Sequence, residues 1–236
     1  MLSSNQNADV PFGIYLWVPL LLALSPYVLQ SVFGEADFLS GERGIFEILT
    51  FVLLLLAVYF IVRAMSLAAA SRIRYLPAWL VLMLLGSVYF AGEEVSWGQH
   101  FFLWQTPEVW QGLNDQQETN LHNTYAIFDQ VPRVLLSLAA LVGGIIVPLC
   151  RKACAVAPPV NEMAGWLWPT IACVPVCLFA LLISLLDDVA EGLGDAVPAY
   201  LDISGGEMKE CLLALFILFY AASLFRRLRA FAAGSW

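Results

Sequence analysis

ILTFVLLLLAVYFIV, residues 48–62, is fifteen residues without a charge, closed by Glu47 on one side and Arg63 on the other. At about 1.5 Å of helical rise per residue it covers roughly 22 Å, against a bilayer hydrocarbon core of about 30 Å. Such a run spans a membrane only if the bilayer thins or if Glu47 itself sits below the interface. The same pattern recurs at Cys211–Phe225, fifteen residues between Glu210 and Arg226. A carboxylate at that depth is costly and ordinarily faces a bundle interior with a partner, so Glu47 and Glu210 are expected to point inward.

Six apolar segments follow from the same reading, at Phe12–Phe33, Ile45–Val62, Leu76–Gly92, Val134–Cys150, Trp166–Leu186 and Cys211–Phe225. The expected fold is an all-α polytopic membrane bundle of six transmembrane helices, one domain over residues 1–236. Residues 93–131 would form an interfacial cap between spans three and four. Pro19 and Pro26 should kink or locally open the first span, since each removes a backbone donor. The composition agrees: 61% hydrophobic, 13% charged, mean hydropathy +0.78, more apolar surface than a soluble domain of 236 residues could hide.

Orientation follows from the basic residues. Eight of the eleven Lys and Arg lie between spans two and three, after span four or after span six, a side the positive-inside rule makes cytoplasmic. Both termini are then inside, and the first ten residues lack the basic start of a cleavable signal. Seventeen of the nineteen acids fall on the opposite side. The few cations form no basic stripe, which excludes nucleic acid as a partner. The five cysteines show no zinc or disulfide spacing and read as packing residues.

The stretch GEEVSWGQHFFLWQTPEVWQGLNDQQETNLHNTY, residues 92–125, holds both histidines. If span three continues as a helix, Glu93, Trp97 and His100 share a face. If 118–122 is helical, so do Glu118 and His122. Thr106-Pro107-Glu108 reads as a helix start with Thr106 as N-cap, and Asn114-Asp115 as the break that lets the chain fold back over the mouth of the bundle. Trp97, Trp104 and Trp110 suit an interfacial aromatic belt, and Asn120 and Asn123 suit backbone bracing. Ser96 lies close to His100, but only proximity would make it a nucleophile.

Imidazole and carboxylate together suit a divalent ion, whether zinc, iron, manganese or calcium, and a spare carboxylate can serve as general base. The candidate catalytic set is Glu93, Glu94, His100, Glu118 and His122, with Glu94 or Glu118 as base. The candidate metal set is Glu94, His100, Glu118 and His122, completed by Asp187, Asp188 and Glu191 from span five. Neither H-E-x-x-H nor the Glu-x-x-His of di-iron bundles is present.

EEVSWGQ (93–99), TPE (106–108) and NLHN (120–123) resemble a motif series in a family of bacterial integral membrane proteins. That resemblance implies a bacterial inner membrane location and no particular reaction. A looser similarity is to the CPBP-type intramembrane glutamate proteases. There Glu93 and Glu94 would match the Glu pair, and His100 and His122 the histidines. The arginine expected after the pair is missing, and the histidines sit in the adjoining loop instead of on later spans.

Two functions follow as expectations. One is a membrane-embedded hydrolase or transferase acting on a lipid or lipid-linked substrate. The other is a non-catalytic membrane subunit whose acids brace the spans or bind a cation, while the Trp-rich cap meets a protein partner. A transporter fits less well, because the spans form no repeat and their cytoplasmic halves carry few polar residues.

Overall fold

The computed structural model describes residues 9–33, 44–113, 118–121, 124–157, 159–193 and 205–234. Among them every regular element is helical. Six helices are long and apolar enough to cross a membrane: Phe12–Phe33, Ile45–Ser71, Leu76–Glu94, Gln130–Ala153, Ala164–Ala190 and Gly206–Ala232. The chain order is α1 (Phe12–Phe33), α2 (Ile45–Ser71), α3 (Leu76–Glu94), α4 (Gln99–Phe102), α5 (Glu108–Gln111) and α6 (Ala126–Leu138). A π-helical segment (Ala139–Ile146) then leads into α7 (Val147–Ala153), α8 (Ala164–Leu167), α9 (Val174–Leu193) and α10 (Gly205–Ala232).

The first span begins and ends where the apolar run does, while α2 and α10 run past theirs, carrying Arg63 and Arg226 within the helix. Long basic side chains allow this by reaching back along the helix. Arg63 donates to the Tyr59 hydroxyl at 3.1 Å and stacks on the Phe225 ring at 5.6 Å.

Span six is the hub, with Leu212, Leu215, Ala221, Leu224 and Leu228 shut away from the surface. Its main partner is α2, which turns Leu54, Ala57, Ile61, Ala64 and Ala68 toward the bundle at steps of three and four, one helical stripe. The alanines let the two backbones approach closely, the usual device where lipid removes any hydrophobic drive between helices. Spans three and five complete the core, and α1 packs on α9 and α10.

Helix α1 runs unbroken through both prolines. Their rings are buried, and the Leu22 carbonyl that Pro26 cannot bond accepts the Ser25 hydroxyl at 2.7 Å. A side chain has replaced the missing backbone donor, as dry surroundings require.

Two features distinguish span four. Its first part, α6, packs extensively on no other described helix except the π segment that continues it. The π segment is pressed hard against the bundle: a Cβ built on Gly144 would lie 2.2 Å from Cys177 Sγ and 3.4 Å from the Phe216 ring. Gly144→Val is therefore expected to destabilise the bundle by about 1–3 kcal/mol, the range for overpacking. Thermal unfolding in detergent checks this, and Cys177→Ala in the same chain should recover part of the loss.

Tyr220 ties three spans together. Its hydroxyl accepts Trp79 Nε1–H at 2.8 Å from α3 and donates to the carbonyls at the end of α8, Trp166 and Leu167. Nearby, Arg227 donates to the Gly165 carbonyl at 3.2 Å and lies over the Trp166 ring.

Candidate functional site

Helix α3 stops at Glu94, so Glu93 and His100 do not share a helix face as the sequence suggested. Ser96, Trp97 and Gly98 all take positive φ, at 46°, 54° and 103°, and three left-handed residues in a row reverse the chain. The reversal lays the Trp97 indole against the end of α3, with Nε1–H donating to Glu93 Oε1 at 2.6 Å. It also requires Gly92, because a Cβ there would come within 2.9 Å of the Trp97 ring.

The segment 118–121 is not helical either, so the expected Glu118–His122 helix face is absent; His122 and Asn123 lie outside the described residues, as do Asn114 and Asp115. What the segment does instead is return to the end of α3. Glu118 Oε2 accepts from Ser96 Oγ and Asn120 Nδ2, both at 2.6 Å, and Oε1 accepts from His100 Nε2 at 2.7 Å. Glu93 Oε2 accepts the Leu121 backbone N–H at 2.7 Å. Gln99 Oε1 accepts both the backbone N–H and the hydroxyl of Thr119, and Gln99 Nε2 donates to Thr106 Oγ1 at 2.9 Å. EEVSWGQ, the threonine preceding Pro107-Glu108, and Asn120-Leu121 are thus parts of one hydrogen-bonded knot.

Thr106 is consequently not a helix cap. Its hydroxyl serves Gln99, its carbonyl accepts from Gln111 at 2.7 Å, and the single turn α5 begins after Pro107. Asn120 Nδ2 braces the side chains of Ser96 and Glu118.

The knot holds carboxylates more than it activates them. Glu118 is buried, and three donors engage its two oxygens within the knot. Ser96 Oγ lies 3.1 Å from His100 Nε2, but that same nitrogen faces Glu118. A serine nucleophile needs an imidazole whose two nitrogens divide between serine and carboxylate; here the serine proton goes directly to Glu118. Ser96, His100 and Glu118 form a brace.

Glu94 belongs to a different place. A cavity of about 620 Å³ lies between α3, α6, the π segment and α10, within the 300–1,000 Å³ range of small-molecule pockets. Its walls are mostly apolar, from Phe90, Leu136, Val142, Phe216 and their neighbours, and Trp79, Trp168 and Tyr220 close the end away from the cap. Its charged lining is Glu47, Glu93, Glu94, Arg133 and Glu210. Glu47 and Glu210 therefore line the interior as their short spans required, and Arg133 Nη2 meets Glu210 Oε1 at 2.8 Å. Glu94 is only 9% exposed.

The five expected catalytic residues thus divide: His100 and Glu118 in the knot, Glu93 in both the knot and the cavity wall, Glu94 in the cavity wall, and His122 outside the described residues. Asp188 lines a smaller cleft on the other side of α6, with Ser184 and Lys209. Asp187 lines neither space, and the side chain of Glu191 lies outside the described residues. Among the described residues no three His, Cys, Asp or Glu side chains gather closely enough to hold a metal ion; His122 and the side chain of Glu191, two of the seven expected ligands, lie outside them. Arg133 was missed by sequence reasoning. Its signal was a lone cation opening the apolar run 134–150, on the side where the acids collect.

Comparison with protein-family models, with curated proteins and with solved structures finds no match to this chain.

Proposed function

We propose that this chain is a membrane-embedded enzyme, a hydrolase or transferase, that takes the apolar part of a lipid or lipid-linked molecule into its cavity and presents the polar part to Glu94. One observation carries the reading: an apolar cavity ends at a buried carboxylate that makes no hydrogen bond among the described residues. From Trp79 to Glu94 the wall follows fifteen helical steps, roughly 22 Å, long enough for a chain lying along the bilayer normal. Glu94 is the acid or base of the reaction, and the Ser96–His100–Glu118 knot is the positioning brace that fixes the end of α3.

We place the cap outside and both termini inside, on the strength of the basic asymmetry, and the location as a bacterial inner membrane, on the strength of the motif resemblance. Membrane-impermeant thiol labelling of intact cells, in a cysteine-free background, is expected to reach V109C and to miss R72C. The reverse pattern would invert the topology.

The test of the cavity is a photoactivatable acyl lipid in vesicles carrying the full chain. Crosslinks are expected on Phe90, Leu136 and Phe216. They should vanish in Gly86→Trp, which fills the cavity from a position where an added Cβ meets nothing within 4 Å. Crosslinks confined to outward-facing residues, and indifferent to Gly86→Trp, would refute it.

A second reading, a non-catalytic subunit docking through the cap, is favoured by Phe102, Leu103 and Val109, which are 78%, 65% and 75% exposed. On that reading Phe102→Ser with Leu103→Ser disrupts function while Glu94→Gln does not.

A further inference from the structure

We infer that the molecule drawn into the cavity carries a primary ammonium in its polar head, and that Glu94 receives it. The inference rests on the proposed cavity reading and adds the head-group class.

The charge balance of the lining points that way. Four carboxylates, Glu47, Glu93, Glu94 and Glu210, share the wall with one guanidinium, Arg133. Three of the four are engaged: Glu93 by the Trp97 indole and the Leu121 amide, Glu210 by Arg133, and Glu47 by contacts of its own. Of these four acids Glu94 is the most buried after Glu93, and it lines the open space with no hydrogen bond among the described residues. Glu47 lines the same wall and adds a second negative charge. A buried carboxylate without donors is a costly arrangement, and a ligand that brings donors and positive charge relieves it.

Three head chemistries can be ranked against this lining. An anionic head would meet an excess of negative charge, with its one cation already paired. A quaternary ammonium brings charge but no N–H; it is recognised by a cage of aromatic faces, whereas carboxylate oxygens call for donors. A primary ammonium supplies three donors and one charge, matching both needs.

The experiment uses the full-length protein in detergent, exposed to an equimolar mixture of phosphatidylethanolamine, phosphatidylcholine and phosphatidylglycerol with identical acyl chains, read by native mass spectrometry. Phosphatidylethanolamine is expected to be retained at least about tenfold over the other two, the scale of a charge-assisted hydrogen bond. Glu94→Gln should bring the three within about twofold, with unchanged elution and thermal midpoint. Glu47→Gln, the second variant, should produce a smaller fall. Equal retention of all three, or preference for either other lipid, overturns the head-group inference. If retention is equal and Gly86→Trp abolishes it, the cavity reading survives that failure. If Gly86→Trp changes nothing, the bound lipid is annular and both readings fall.

Discussion

Glu118→Ala is expected to release the returning segment 118–121 from the end of α3. The substitution leaves the Ser96 hydroxyl, the Asn120 amide and the His100 ring N–H without their shared acceptor, in a place where Ser96 and Asn120 are fully buried. Unsatisfied buried groups cost about 1–3 kcal/mol each, and breaking a buried charged network costs about 3–5 kcal/mol in all. The six spans should persist, because their apolar core lies elsewhere. The readout is amide hydrogen exchange: Thr119 and Leu121, whose N–H groups bond the side chains of Gln99 and Glu93, should lose protection, while α2 and α10 keep theirs. Unchanged protection at those two amides would mean that the knot does not hold the cap.

Tyr220→Phe should be the most damaging conservative change in the bundle itself. Removing one oxygen strands Trp79 Nε1–H and the carbonyls of Trp166 and Leu167, at about 1–3 kcal/mol for each group left unsatisfied. Thermal unfolding in detergent is expected to show a clear loss. Trp79→Phe should show a smaller one, and the double variant should be less damaging than the two losses added, since both remove the same bond. Additive losses would show that the hydroxyl and the indole act independently.

The spans were legible because a bilayer reduces their identification to length and polarity. The inward turn of Glu47 and Glu210 was legible for a related reason: Ile48–Val62 and Cys211–Phe225 are too short to leave the acids outside. The site was legible only in part. His100 and Glu118 do meet, but through a reversal at Ser96–Trp97–Gly98, where two non-glycine residues take left-handed geometry that no periodicity announces. That reversal tied Glu93 into the knot as well as the cavity wall and left Glu94 to the cavity alone, giving different surroundings to neighbours that looked like one pair. Arg133 escaped notice because a lone cation carries little pattern until its partner, Glu210, is known to lie one helix away.

The wide turns at Ala139–Ile146 have a consequence for span four as a whole. An α-helix advances about 100° per residue; a segment closed by i→i+5 bonds advances less. Over eight residues that difference accumulates into a large angular offset between α7, anchored below, and α6 above. The direction in which Arg133 points is therefore geared by residues two turns away. Any sequence change that tightened those turns to ordinary pitch would rotate the guanidinium out of register with Glu210 without touching either side chain.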